Sequence, residues 1–146
     1  MQNIKTEPNI GNRFVAGLVD YIIIFGFTFF IIFTLGEPND EGGYSLNGAP
    51  ALMPMLFWFL MTVFLEISIG RTVGNLMVGL RAIPLDGTIR KLTFLESFKR
   101  HLLDPIDFCF FGIVAIITIK NTVKNQRVGD LWAKTIVVSS KTINKT

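Results

Sequence analysis

The sequence predicts a mainly α-helical polytopic membrane protein with a small β-hairpin on the cytoplasmic side. Two observations indicate the membrane class: half of the 146 residues are hydrophobic and 14 are phenylalanine, which is too apolar for an ordinary soluble domain. A third is the grouping of apolar residues in runs, because a helix needs ~20 such residues to cross a bilayer. The chain shows no internal repeat, so we take residues 1–146 as a single membrane domain.

Two apolar runs are long enough for a full crossing. Residues 14–35 and residues 50–69 each contain one charged side chain, Asp20 in the first and Glu66 in the second. The first run is longer than the ~7–15 residues of a signal-peptide core, and no cleavage site of small residues follows it. We therefore expect both runs to be transmembrane helices.

The third apolar run, residues 102–119, is interrupted by charge and by proline. Asp104, Pro105 and Asp107 lie near its start, so its uncharged part covers only residues 108–119. Apolar runs of that length are often re-entrant or interfacial. We expect a short, kinked or re-entrant segment here, with three simple crossings as the alternative.

The charges of the connecting segments predict the orientation in the membrane. Residues 36–48 contain acidic side chains and no lysine or arginine, whereas the connection 70–101 and the tail 120–146 are rich in lysine and arginine. Basic connecting segments tend to stay in the cytoplasm. We therefore expect a multi-pass protein of the cell membrane whose N-terminus, connection and tail are cytoplasmic.

The cytoplasmic connection contains a signal for a β-hairpin. The run VGLRAIPLDGTIRKLTF, residues 78–94, is centred on Asp86-Gly87, a dipeptide favoured in tight hairpin turns. In the tail, the β-branched run KTIVVSS could add a third strand to this hairpin. Between them, FLESFKRHLL has its aromatic side chains at helical spacing, which predicts a helix along the inner membrane interface.

Asp20 is the leading candidate for a functional residue. A charged side chain near the centre of a transmembrane helix costs from ~2.5 kcal/mol upward, so Asp20 needs a partner or a hydrated cavity. Arg13 lies on the same helix face but ~10 Å away along the axis, which is too far for an ordinary ion pair. We expect Arg13 to extend toward the inner headgroups. The candidate countercharges for Asp20 are Arg100 and Arg127.

Carboxylates on three segments are expected at a similar depth. Asp20 lies ~10 Å inside the inner face by helix rise, and Glu66 lies ~6 Å inside it. Asp104 and Asp107 begin the third segment on the same side. These four side chains predict a polar pocket for a proton or cation that opens to the cytoplasm. The alternative is a structural lock, in which paired charges only fix the helix register.

The sequence lacks the residues that several other classes of function require. One histidine and one cysteine are too few for the usual zinc ligand sets. Gly70 and Gly74 do not form a phosphate loop because no Gly-Lys-Ser/Thr follows, and their spacing predicts close helix packing instead. With no nucleophile paired to a base, we expect no enzyme activity, metal or cofactor. The net charge of +3 fits the membrane orientation, so we expect no nucleic-acid partner.

Four short motifs cover nearly the whole chain. They are NRFVAGLVDYIIIF in the first run, GRTVGNLMVGLRAI followed by DG after the second, LESFKR before the third, and QRVGDLWAKTIVV near the end. In this order they resemble the RDD family of small prokaryotic membrane proteins, which is named for one arginine and two aspartates. The resemblance places that arginine at Arg13 and those aspartates at Asp20 and Asp130, with Arg100 and Arg127 at further basic positions.

The resemblance implies a role in transport, because transport of unidentified ligands has been proposed for the family and some relatives are associated with cation/proton exchange. Two or three spans cannot enclose a pathway through ~30 Å of hydrocarbon, so transport would need a homo-oligomer or another membrane protein. We expect a transport-related subunit that handles protons or small cations, or else a non-transporting scaffold, assembly or regulatory module with structural buried charges. The lipid bilayer is a partner in both cases.

Asp130 becomes a candidate only through the resemblance. Taken alone, QRVGDLW is typical of a cytoplasmic turn whose aspartate caps a helix. As a motif residue, Asp130 is expected to bind Arg13 or Arg100. Such a contact would dock the tail beneath the membrane and close the pocket around Asp20.

Overall fold

The computed structural model describes residues 6–143, and of Cys109 and Phe111 it describes the backbone alone. This part of the chain is mainly helical, which confirms the predicted fold class. The helices are α1 (Ile10–Leu35), α2 (Met53–Phe59), α3 (Leu65–Ile69), α4 (Val73–Met77), α5 (Phe94–Leu102), α6 (Asp104–Asp107), α7 (Cys109–Asn121), α8 (Val128–Ala133) and α9 (Ser140–Ile143). The strands are β1 (Glu37–Pro38), β2 (Tyr44–Ser45), β3 (Leu80–Pro84) and β4 (Thr135–Ser139).

Two helices are long and apolar enough to cross a membrane. α1 has 26 residues, beginning ahead of the predicted start at residue 14, and the helix Ala49–Ile69 has 21. The second consists of a 3₁₀ turn, α2, a π turn at Leu60–Phe64, and α3. It ends at Gly70, whose φ of 86° lies in the left-handed region that favours glycine.

α1 turns a single narrow face toward the rest of the protein. Its buried residues, Ala16, Asp20, Ile24 and Ile31, recur at the spacing of helical turns. Large apolar side chains on its other faces are exposed, and Phe33 is the most exposed of them at 71%. The helix therefore presents apolar surface where lipid or another membrane protein would lie.

The third apolar run is bent, as predicted. The helical stretches Phe94–Asp107 and Gly112–Asn121 differ in direction by 115°. The first stretch begins with a capping box, in which Thr93 and Glu96 satisfy each other's backbone N–H groups. The bend brings α5 and α6 alongside the ends of the long helices instead of continuing one straight span.

The predicted hairpin is wrong in its pairing. The turn is present, since Gly87 has a φ of 83° and its N–H donates to the Pro84 carbonyl at 3.1 Å. The residues that follow the turn form no strand, however. β3 pairs antiparallel with β4, which lies in the tail run that was expected to join the sheet as a third strand. The register runs from Leu80 opposite Ser139 to Pro84 opposite Thr135.

The composition of β4 explains this choice of partner. On one face of the sheet, Ile83 packs with Ile136 and Val138, all buried. The other face buries Val137 with apolar residues of the connection. The segment after the turn carries Arg90 and would offer fewer β-branched side chains to a two-sided core. Strand pairing therefore ties the tail to the connection.

The close packing predicted from the glycine spacing is present at Gly74. α4 lies so near α1 that a Cβ on Gly74 would stand 2.0 Å from the carbonyl oxygen of Ala16. No side chain larger than hydrogen fits this contact. Gly74 therefore sets the distance between the first long helix and the connection.

We predict that Gly74→Ala destabilises the protein, by roughly 1–3 kcal/mol or more, because α4 must move away from α1. Thermal unfolding of the purified protein in detergent measures the effect. Gly26→Ala is the matched control: a Cβ there meets nothing within 4 Å, and alanine in a helix interior is expected to stabilise by roughly 0.5–1 kcal/mol. Equal thermal unfolding midpoints for the two variants would show that close packing at Gly74 does not stabilise the protein.

Candidate functional site

Charged side chains gather where α1, α3, α5, α6 and α8 meet. We call this group the charge cluster; its members are Arg13, Glu66, Arg100, His101, Asp104, Asp107, Arg127 and Asp130. Their side chains are buried or nearly so. Because a buried charge is costly without a partner, the pairing of this group decides what it can do.

Asp130 lies at the centre of the charge cluster. Its Oδ2 is 3.1 Å from Nη1 of Arg13, and its Oδ1 is 3.1 Å from Nε of Arg100. The backbone N–H of Arg127 also donates to Oδ2 at 3.2 Å. Asp130 thus binds both of the arginines expected from the sequence, and the tail is held against α1 and α5.

The contact with Asp130 corrects the interpretation of Arg13. Its side chain is only 10% exposed and its guanidinium is turned to Asp130. The side chain therefore does not extend freely toward the headgroups as expected. Its Nη1 is held by Asp130, because a guanidinium and a carboxylate form a strong charge-assisted hydrogen bond.

The neighbouring arginines together lower the pKa of Asp130. Burial alone would raise the pKa of this carboxyl, but the charges of Arg100, Arg13 and Arg127 outweigh burial and hold the pKa below its ordinary value of 3.8. For Arg127, burial opposes the charged form, yet the carboxylates of Asp104 and Asp130 raise its pKa further above the ordinary value. Both groups are charged at neutral pH.

α5 contributes one polar face to the charge cluster. Nη1 of Arg100 lies 2.9 Å from Oε1 of Glu66, and the Ser97 hydroxyl donates to Oε2 of Glu66 at 2.7 Å. His101 lies between two carboxylates, with Nδ1 2.9 Å from Oδ2 of Asp104 and Nε2 3.3 Å from Oε2 of Glu66. The face therefore joins the second long helix to α6.

α6 holds the start of α8 through two carboxylates. Asp104 accepts from the Tyr21 hydroxyl at 3.0 Å and lies 2.8 Å from Nη2 of Arg127. Asp107 accepts from the first two backbone N–H groups of α8, at 2.9 and 3.0 Å. A carboxylate at this position satisfies N–H groups that have no partner within the helix.

Asp20 stands apart from the charge cluster. The residue is 9% exposed, and Oδ1 accepts from the backbone N–H of Gly74 at 2.7 Å. Of the buried carboxylates in residues 6–143, Asp20 alone has no ion pair. It lines a cavity of about 60 Å³ together with Thr72 and Asn75.

The expected countercharges do not pair with Asp20. Arg100 and Arg127 line the same cavity, but both bind other carboxylates. The predicted pocket of four carboxylates is likewise divided. Asp20 lines the cavity, whereas Glu66, Asp104 and Asp107 do not and instead bind arginine, histidine or backbone.

A family model described as the RDD family matches residues 7–134. The chain belongs to the RDD family. The matched range contains the whole charge cluster and Asp20. No functionally curated protein and no solved structure matches the chain. Together with the two long apolar helices, membership identifies an RDD-type membrane protein.

In this RDD protein, the arginine and the two aspartates expected at the motif positions fall into two groups. Arg13 and Asp130 bind each other, while Asp20 lies apart beside Gly74. The sequence analysis did not predict His101 and Tyr21 as hydrogen-bond partners of Asp104. The signal for His101 was available, because it shares a face of α5 with Ser97 and Arg100. Within the described residues, no group of three or more His, Cys, Asp or Glu side chains could hold a metal.

We predict that Asp130→Asn destabilises the RDD protein by roughly 3–5 kcal/mol, because it leaves two buried guanidinium groups without their shared anion. Chemical unfolding in detergent measures the loss. Arg90→Gln is the control, since it removes the exposed partner of Glu96 and is expected to cost about 0–1 kcal/mol. Similar losses in the two variants would show that Asp130 is not central to the fold.

The stabilisation from Asp130 is also predicted to depend on pH. The pKa of Asp130 is lower in the folded protein than its ordinary 3.8, so its contribution is fully present above 3.8 and is lost as pH falls through the lower folded value. The free energies of unfolding of wild type and Asp130→Asn should therefore approach each other at acidic pH. A gap between the two that is unchanged well below 3.8 would contradict this assignment.

Proposed function

We propose that the protein is a transport-related membrane subunit in which Asp20 exchanges a proton for a small cation. The observation that carries this proposal is that Asp20 is buried, lines a cavity, and forms no ion pair in the described part of the chain. A carboxylate in such a place gains stability by binding a proton or a cation.

The charge balance of the charge cluster supports this role. If His101 carries a proton, the positive side chains equal the carboxylates in number; the carboxylates are Glu66, Asp104, Asp107 and Asp130. No positive charge is then left over for Asp20. On this count, a proton or a small cation from outside the chain would neutralise Asp20.

We also propose that the N-terminus, the connection 70–101 and the tail 120–146 are cytoplasmic, in a multi-pass protein of the cell membrane. The distribution of lysine and arginine supports this orientation. The ion pair of Arg13 with Asp130 supports a tail on the same side as the start of α1. A bent third segment that does not cross would leave both termini on that side.

Transport through this chain would need more than one copy or a second membrane protein. Two long helices cannot enclose a polar pathway across ~30 Å of hydrocarbon. The cavity beside Asp20 has a volume of about 60 Å³, which is too small to form a channel by itself. We therefore propose a homo-oligomer or a complex with a membrane partner, in which Asp20 is the binding site.

A second candidate function is a non-transporting scaffold, assembly or regulatory module. The pairing of the charge cluster favours it, because ion pairs that hold the tail to α1 and α5 need no moving ligand. On this alternative, Asp20 serves the fold through its hydrogen bond with Gly74.

Reconstitution separates the two candidates. Proteoliposomes with an imposed pH gradient receive sodium, lithium or potassium, and a pH-sensitive dye reports the internal pH. Wild type is expected to collapse the gradient, and Asp20→Asn to lose the activity because an amide cannot take up and release a proton. Asp40→Asn, an exposed change in the loop between β1 and β2, is the matched control and should behave as wild type.

Two results would count against transport by Asp20. Wild-type vesicles that hold their gradient with every cation, while containing intact oligomers, would favour the scaffold. Equal fluxes in wild type and Asp20→Asn would place any exchange elsewhere in the protein.

A further inference from the structure

Arg13 has hydrogen-bonding capacity that the charge cluster does not use. Nη1 binds Asp130, but Nε and Nη2 are buried and find no hydrogen-bond partner among the described residues. Buried guanidinium N–H groups are almost always satisfied, because leaving one without an acceptor costs free energy. The geometry therefore leaves room for an anionic acceptor supplied from outside the chain.

A cavity beside Arg13 offers the place for such an acceptor. It has a volume of about 60 Å³ and is lined by three charged residues, Arg13, Asp107 and Arg127, among apolar side chains of α1 and α7. Asp107 does not compete for Arg13, because its two oxygens accept from the backbone of α8 and Nε of Arg127 lies 3.6 Å away. Two guanidinium groups therefore face a largely apolar space.

A larger apolar groove adjoins this cavity. Its volume is about 750 Å³; we call it the lipid groove, and its lining includes Leu18, Tyr21, Phe25 and Pro105. Phe14 and Phe108 line both the cavity beside Arg13 and the lipid groove, so the two spaces share walls.

The dimensions of the lipid groove match one leaflet of a bilayer. From Arg13 to Phe25 the rise along α1 is ~18 Å. Half of a ~30 Å hydrocarbon core is ~15 Å. The guanidinium groups lie near the beginning of α1, where a long apolar helix meets the headgroups. A lipid with its phosphate at Arg13 could thus lay one acyl chain along α1.

We propose that an anionic phospholipid binds here, with its phosphate on Arg13 and Arg127 and an acyl chain in the lipid groove. Guanidinium groups bind phosphate oxygens through paired, charge-assisted hydrogen bonds. Nε and Nη2 of Arg13 can donate hydrogen bonds to an anion, and the apolar lipid groove beside them can bind a hydrocarbon chain. A phospholipid supplies both in one molecule, whereas free phosphate supplies the first alone and an apolar partner helix the second alone.

Arg13 and Arg127 also line the cavity beside Asp20, so the two proposed sites are neighbours, but lipid binding does not require cation exchange at Asp20. The lipid phosphate would bind Nε and Nη2 of Arg13 while Nη1 stays on Asp130, so it would stabilise the side chain that holds the tail. Its test therefore measures lipid binding and not transport.

Native mass spectrometry of the detergent-purified full chain tests the proposal. The probes are phosphatidylglycerol, diacylglycerol with the same acyl chains, and inorganic phosphate. Wild type is expected to bind phosphatidylglycerol at least about tenfold more tightly than diacylglycerol. Leu18→Trp should fill the lipid groove without touching the arginines and weaken phosphatidylglycerol binding about tenfold or more.

Ile22→Trp is the matched control, because Ile22 is exposed on α1 and is not part of the lining of the lipid groove. It should bind phosphatidylglycerol as wild type does. Equal binding of phosphatidylglycerol and diacylglycerol would overturn phosphate recognition, and equal behaviour of the two tryptophan variants would overturn the groove. Inorganic phosphate that displaces the lipid completely would reassign the site to a free anion. A dimer lost in Leu18→Trp, without any lipid signal, would assign the groove to a second copy.

Discussion

The burial of Asp130 between Arg13 and Arg100 is the constraint on which the rest of the structure depends. All three side chains are buried or nearly so, and each charge therefore requires the others. Because they come from α1, α5 and α8, their contact sets where the tail runs. That placement brings β4 to β3 and lets Asp107 cap α8. The bend before α7 follows, since α6 must stay beside α8.

The sequence could predict the features whose cause is local. A bilayer demands a set length of apolar chain, so α1 and the helix Ala49–Ile69 were evident from composition. Strand pairing was predicted in part. The β-branched tail run was expected to join the sheet and does pair with β3, but the strand expected after the local turn signal at Asp86-Gly87 does not form. The sequence does not show how a helix is rotated against its neighbours. For that reason Asp130 was foreseen as a possible partner of Arg100, whereas Glu66 was not.

The site contains two kinds of buried charge, the paired side chains of the charge cluster and the unpaired Asp20. The charge cluster satisfies its own members, which is what a rigid frame requires. Asp20 is excluded from that frame by its position: it lies against the backbone of α4, where Gly74 lets the chain come close. The same close approach that packs α4 on α1 therefore supplies the N–H donor for Asp20. A fold can in this way keep a carboxylate buried while leaving it without a countercharge.

The long sequence separation between Arg13 and Asp130 has a consequence for biosynthesis. A ribosome delivers α1 to the membrane 117 residues before it delivers the carboxylate that Arg13 will bind. Until then the arginine has to be sheltered by headgroup phosphates or by water at the membrane surface. The first helix therefore gains its contact with Asp130 only after the tail has been synthesised, and a chain that ends before Asp130 lacks the anion that holds Arg13.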